Sequence, residues 1–268
     1  MRALHDLGKM EIGTLEITTV ILVALVPSVL YILWIRNTEI CKREPLFLVF
    51  LVLFFGLTAA FGIAFVIENS LVYLLFENSS LLNRFLWGVN GPNPEIYLFI
   101  LAVIIAPVVE EFVKASGVFL VYRRLAELED GMIYGAASGL GFAAAENVIY
   151  FGDALLAGFE VFLVTAILRT LTSTVLHASS TAISGYGIGK AKLFRQIGRR
   201  SRWLQYVILA VVVHGLFNFF AILGMIFSQG MEIYFAGLLA SFAIATIAFR
   251  IMRLKIREFD TMFLSQRD

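Results

Sequence analysis

The sequence predicts an all-α fold, a polytopic transmembrane helical bundle of about seven helices. Two observations support this fold class. First, 60% of the 268 residues are hydrophobic and the mean hydropathy is +0.87, whereas a soluble domain is about 45–50% apolar. Second, apolar runs of the ~20 residues needed to cross a bilayer recur along the chain. We therefore treat residues 1–268 as a single transmembrane domain.

The apolar runs give the helices in chain order. The stretch before Ile17 is acidic and lacks a cleavable signal pattern, so the first run is predicted to be a retained helix. Leu71–Phe76 is too short to span, and we expect an interfacial or re-entrant piece there, within a long loop at Glu68–Glu95. The seven predicted spans are Ile17–Trp34, Leu46–Val66, Ile96–Tyr122, Gly131–Phe151, Val161–Ile188, Trp203–Phe227 and Ile233–Met252.

Basic residues predict the orientation of the bundle. Clusters of Lys and Arg follow the first, third, fifth and seventh runs, while the alternate loops hold almost none, Arg84 being the exception. Because cytoplasmic loops carry the Lys/Arg excess, the N-terminus is predicted to lie outside and the C-terminus in the cytoplasm. The net charge of +1 gives no reason to expect a nucleic-acid partner, and the single Cys41 excludes an intrachain disulfide framework.

Cysteine labelling tests this orientation. In a Cys41→Ser background, we expect an impermeant maleimide to label Asn93→Cys in intact cells and to leave Gln196→Cys protected until the cells are opened. The reason is the excess of positive charge on the loop that follows Gln196. The reverse labelling pattern would contradict the predicted orientation.

The third predicted span carries an unusual set of charges. Glu110 and Lys114 are four residues apart and share a helix face, and Glu111 is three residues from the same lysine. Insertion of a charged side chain near the bilayer centre costs at least ~2.5–3.5 kcal/mol, so such residues are expected to have a function. Lys114 can pair with one carboxylate and leave the other free as a general base. Pro107, one turn earlier, removes a backbone hydrogen bond and can open the helix.

Three further spans carry ionisable groups at similar depth. Glu146 follows a small-residue stripe in the fourth span, and such a stripe lets another helix approach closely. His177 lies in the fifth span, and His214 and Asn218 share a face of the sixth. At 1.5 Å per residue, these groups lie roughly 17–24 Å from the helix ends, so they are expected to meet in the middle of the bilayer.

This constellation permits two chemistries. A catalytic zinc takes three protein ligands and keeps one position open, and His177, His214 and Glu146 are the candidate ligands. Without metal, Glu110 or Glu111 would activate water, and His214 with Asn218 would stabilise an oxyanion. The chain has no His-Glu-x-x-His motif to decide for zinc.

The ordered motifs resemble those of the PrsW family of intramembrane proteases, which is related to the CAAX prenyl endopeptidases and to APH-1. They run from about Pro107 to Asn218, as Glu110-Glu111-x-x-Lys114, Phe142-x-x-x-Glu146-Asn147, Arg169 ahead of His177, and His214-x-x-x-Asn218. The CAAX enzymes have a histidine where Glu146 stands and an arginine one residue after Lys114, so they fit less well.

The resemblance implies a multi-pass cell-membrane protease that cleaves membrane-bound regulators, such as anti-sigma factors, in site-1-type processing. It also implies a metalloprotease, for which we expect zinc as the cofactor. We expect the catalytic core at about residues 96–227, with Glu110, Glu111, Lys114, Glu146 and Asn218 as catalytic residues. Two other functions remain open from the residues alone. One is a proton-coupled transporter, which the absence of a repeat between the two halves disfavours. The other is a non-catalytic APH-1-like scaffold.

Overall fold

The computed structural model describes residues 13–77, 93–227 and 230–264. Over these residues it is helical without strands, and seven helices are long and apolar enough to cross a membrane. The predicted fold class is therefore confirmed. The seven helices are α1 (Thr14–Arg36), α2 (Leu46–Phe76), α3 (Pro94–Val121), α4 (Leu128–Ala157), α5 (Phe159–Gln196), α6 (Leu204–Ala221) and α7 (Gly230–Met262).

Several helices are longer than the apolar runs that predicted them. The segment Leu71–Phe76 continues α2, so the prediction of a separate interfacial piece there is wrong. A hydropathy window ends at polar residues such as Glu68, but the backbone continues to form helical hydrogen bonds past them. Residues 78–92 of the predicted loop, including Arg84, lie outside the described residues.

The helix α3 is irregular on both sides of its acidic pair. Asn93 caps its start by accepting a hydrogen bond from the Glu95 amide at 2.7 Å. A π-helical segment at Ile100–Ile105 precedes Pro107, and a 3₁₀ segment at Gly117–Val121 follows the regular turns. Proline has no N–H to donate, and π segments are frequent at functional sites. The wide turn before Pro107 fits the predicted opening of this helix.

The glycine stripe of α4 packs directly against α5. Cβ atoms added at Gly131, Gly135 and Gly139 would collide with backbone carbonyl groups of α5, at Gly185, Thr181 and His177 respectively. Only glycine allows the two backbones to approach this closely. This contact sets the position of His177 relative to α4.

Substitution within the stripe tests this packing. We expect Gly139→Ala to lower the free energy of unfolding by about 1–3 kcal/mol, because the added methyl group meets the His177 carbonyl, which cannot move aside alone. Gly152→Ala is the matched control on the same helix, since a Cβ there has nothing within 4 Å. Thermal unfolding in detergent measures both. Equal stability of the two variants would contradict close α4–α5 packing as the constraint.

Candidate active site

The structure brings the ionisable residues of four helices together in the interior of the bundle. Glu111 and Lys114 of α3 have no exposed surface, and His177 of α5 and His214 of α6 are 1% and 2% exposed. The two imidazole rings are 4.8 Å apart, edge to face. The arrangement agrees with the expectation that these groups lie close to one another.

Lys114 lies at the centre of the cluster. Its Nζ is 2.7 Å from Glu111 Oε1, 3.0 Å from Glu110 Oε2 and 2.8 Å from His177 Nδ1. An ammonium group has only donors, so Nδ1 of His177 accepts this hydrogen bond. The proton of the neutral ring then lies on Nε2, which donates to Glu146 Oε2 at 2.9 Å.

Both carboxylate oxygens of Glu111 are held in place. Oε1 accepts hydrogen bonds from Ser180 at 2.9 Å and pairs with His214 Nδ1 at 3.0 Å, in addition to its ion pair with Lys114. Oε2 accepts from Thr181 at 3.1 Å. Charged groups buried in low dielectric need such partners. Glu111 is therefore the anchor of the cluster.

Glu110 differs from its neighbour because it lines a cavity. Within the part of the chain that the structure describes, the one hydrogen bond of its side chain joins Oε2 to Lys114 Nζ. The cavity has a volume of about 160 Å³, enough for a few water molecules at about 30 Å³ each. Its walls come from α2, α3 and α4, with Phe61, Phe65, Glu68, Glu110, Phe142, Glu146, Ile149 and Tyr150 as lining residues.

Glu146 is held between α4 and α5. Arg169 Nη2 lies 2.9 Å from Glu146 Oε2, and Arg169 Nε donates to Asn147 Oδ1 at 2.7 Å. Asn147 in turn donates to Thr174 at 2.9 Å. This chain fixes the carboxylate that orients the His177 ring, as outer partners of a functional histidine commonly do.

Asn218 contacts the backbone of α3. Its amide donates to the Ala102 carbonyl at 2.8 Å, inside the π-helical segment that precedes Pro107. One turn earlier on α6, a Cβ added at Gly215 would lie 2.7 Å from the Val103 carbonyl. This face of α6 therefore packs against the irregular part of α3.

The sequence reasoning missed two members of the site. Ser180, which donates a hydrogen bond to Glu111, is one of several serines on α5. Its spacing from the other polar residues does not distinguish it from them. Glu68 lies in the cavity wall although α2 was expected to end before it. The position of Glu68 at the end of a long apolar run was the feature of the sequence that could have indicated its place in the site.

The described residues include a possible metal-binding group in this cluster. Ligand atoms of Glu110, His177 and His214 lie within 4.8 Å of one another. Two histidines and one glutamate are a common ligand set of catalytic zinc sites. Glu146, the predicted third ligand, instead pairs with Nε2 of His177. This arrangement does not suit a metal, because the Lys114 ammonium group donates hydrogen bonds to Glu110 Oε2 and to His177 Nδ1. A metal ion would need such atoms as its ligands.

A membrane-embedded bundle that buries two glutamates, a lysine and two histidines beside a cavity large enough for a few water molecules has the features of an intramembrane protease. The family model described as "PrsW family intramembrane metalloprotease" matches residues 44–247. The chain therefore belongs to the PrsW family, and it is a multi-pass membrane protease whose surroundings are the bilayer and whose substrates are membrane proteins.

Similar curated proteins agree with this assignment. The Protease PrsW of Clostridioides difficile is 31% identical over 203 residues, which are 74% of this chain and 77% of that protein. The Protease PrsW of Geobacillus kaustophilus is 32% identical over 180 residues, or 66% and 68% of the two chains. No solved structure matches the chain.

Proposed function

We propose that this protein cleaves membrane-anchored proteins by glutamate-activated hydrolysis, with Glu110 as the general base. The observation that supports Glu110 is its place in the cavity wall, whereas both oxygens of Glu111 are already engaged. A general base must reach the water whose proton it takes. Glu110 meets that requirement, and Glu111 serves as the anchor that keeps Lys114 in position.

The contacts of the other residues indicate their roles. Lys114 holds the two carboxylates together. It would also stabilise the negative charge that passes to the substrate's carbonyl oxygen when the water deprotonated by Glu110 attacks it. Glu146 keeps His177 in one tautomer. For Asn218 we propose a positioning role through the Ala102 carbonyl, with its second amide N–H as the donor that an oxyanion would use.

The cavity indicates how a substrate would enter. Its walls combine aromatic residues of α2 with residues of α4, so an extended segment would approach between these two helices. We propose membrane-bound regulators, such as anti-sigma factors, as the substrates, and the cell membrane as the location. The catalytic core would comprise about residues 96–227, extended by the α2 residues that line the cavity.

A reconstitution experiment tests the proposed function. The purified chain is placed in lipid vesicles with a membrane-anchored regulator as substrate, and cleavage is followed by mass spectrometry of the products. Cleavage by the wild-type chain and its absence with Glu110→Gln support the proposal. Folded wild-type protein that leaves a panel of membrane-anchored regulators intact would contradict it.

The family description names a metalloprotease, and zinc is the metal that we test. Glu110, His177 and His214 would hold the ion, whose chemistry would be polarisation of a carbonyl or of water. Because Lys114 contacts Glu110 Oε2 and His177 Nδ1, we expect full cleavage in chelator-treated protein. Elemental analysis of active protein is the measurement. Near-stoichiometric zinc, lost together with activity in His177→Ala, would establish the zinc mechanism instead.

A further inference from the structure

A second group of buried acids lies at the opposite face of the bundle from the N-terminus of α1, where the α1–α2 loop, the start of α4 and the end of α7 meet. Each of these residues is buried. Among the described residues, none of them forms an ion pair with a lysine or arginine. We call this group the acidic cluster, and it consists of Glu39, Glu44, Glu127, Glu129, Asp130 and Asp260.

Three members of the acidic cluster converge on one point. Ligand oxygens of Glu39, Glu44 and Asp130 lie within 4.8 Å of one another. Two oxygens on opposite sides of a calcium ion, at about 2.3–2.6 Å each, are about 4.6–5.2 Å apart. The three carboxylates are thus close enough to share one ion with little movement.

The backbone holds these carboxylates in place. The Glu44 amide donates to Glu39 Oε2 at 2.9 Å, and the Glu127 amide donates to one oxygen of Asp130 at 3.0 Å. The hydroxyl of Tyr134 donates to Glu44 Oε2. Each of the three carboxylates thus has one oxygen in a hydrogen bond to a backbone amide or to the Tyr134 hydroxyl.

Two carboxylate oxygens of the acidic cluster have no hydrogen-bond partner among the described residues. Glu39 has no exposed surface, and its Oε1 has no hydrogen-bond partner. Oε1 of Glu129, a side chain that is 1% exposed, also lacks a partner. Buried polar atoms are nearly always paired, and buried charges pair with opposite charges or coordinate metals. Glu129 belongs to the neighbouring group of Glu127, Glu129 and Asp260, so the observation that bears on the triad is the unpaired Oε1 of Glu39. A cation between Glu39, Glu44 and Asp130 would supply the partner that this oxygen lacks.

We propose that Glu39, Glu44 and Asp130 form a binding site for a hard divalent cation of the Mg²⁺ or Ca²⁺ class. The donors are all oxygens, which such cations prefer, and no histidine or thiolate belongs to the triad. The ion would join the α1–α2 loop to the start of α4, the helix that also carries Glu146. It would be a structural ion, separate from the catalytic cluster and independent of the proposed function.

The competing explanation is protonation of the same carboxyl groups. Burial raises the pKa of Glu39 to about 8 and that of Glu44 to about 7. A proton on one carboxyl group can bridge to another and remove the need for an ion. Cations compete with protons for such ligands, so the two explanations are best separated at a pH above 8.

Manganese binding at pH 8.5 tests the site in the full-length protein. The protein is stripped with EDTA in a neutral detergent and titrated with Mn²⁺, and the free ion is measured by electron paramagnetic resonance. A His214→Ala background removes one ligand of the candidate metal group that contains histidines. We expect one bound Mn²⁺ per chain, displaced by excess Mg²⁺ or Ca²⁺.

Substitutions assign the bound ion to the triad. Glu39→Gln and Glu44→Gln, which keep hydrogen-bonding capacity, are each expected to weaken Mn²⁺ binding at least about tenfold. Glu258→Gln is the matched control, an exposed acid that pairs with Lys255 at 2.7 Å. Having two variants covers the case in which one fails to fold. Absence of bound Mn²⁺, or equal affinity in the folded variants and the control, would overturn the proposal.

Discussion

The Glu110→Gln variant is expected to lose about 10²–10⁴-fold in cleavage rate while it remains folded. Glutamine preserves the size of the side chain and can still accept the Lys114 hydrogen bond, but it cannot take a proton from water. Removal of a general base costs a factor of this size. Single-turnover cleavage in lipid vesicles measures the loss, and thermal unfolding checks that the variant is folded.

Two matched variants make this result specific. Glu160→Gln removes an exposed carboxylate at the start of α5 and should cleave at the wild-type rate. Glu111→Gln should chiefly lower stability, because Glu111 has partners on both of its oxygens. If Glu110→Gln cleaved normally while a folded Glu111→Gln were inactive, the roles assigned to the two glutamates would be reversed.

The Lys114→Met variant is expected to lose about 3–5 kcal/mol of stability, and to lose activity as well. Methionine fills a similar volume but leaves the carboxylates of Glu110 and Glu111 buried without their cation. Removal of one partner of a buried ion pair has a cost of this size, because the remaining charge is uncompensated. Chemical unfolding in detergent measures the change.

A double substitution and a surface control separate charge from packing. Adding Glu111→Gln to Lys114→Met removes one uncompensated charge and should restore part of the lost stability. Lys255→Met breaks an exposed pair with Glu258 and should change stability by less than about 1 kcal/mol. If the double variant were no more stable than Lys114→Met, loss of packing rather than of charge would explain the effect.

The sequence alone determined the architecture and the family. Hydropathy finds spanning helices because the bilayer core has no water to satisfy backbone groups, so each crossing needs its own long apolar helix. The charged residues inside those helices were visible for the same reason, since an acid such as Glu110 contrasts with its apolar neighbours. The ordered motifs around Glu110, Glu146, His177 and His214 then sufficed to indicate the family.

Only the tertiary structure decided which residues do what. The contact between Lys114 and His177 joins positions 63 residues apart, and it depends on the rotation of α3 and α5 about their axes and on the glycine contact between α4 and α5. The same packing engages Glu111 and leaves Glu110 on the cavity. Hydropathy and motif spacing are properties of local sequence, whereas these pairings depend on how whole helices pack. The acidic cluster, in which the Ile40 amide donates to Asp260 at a separation of 220 residues, was not visible in the sequence for this reason.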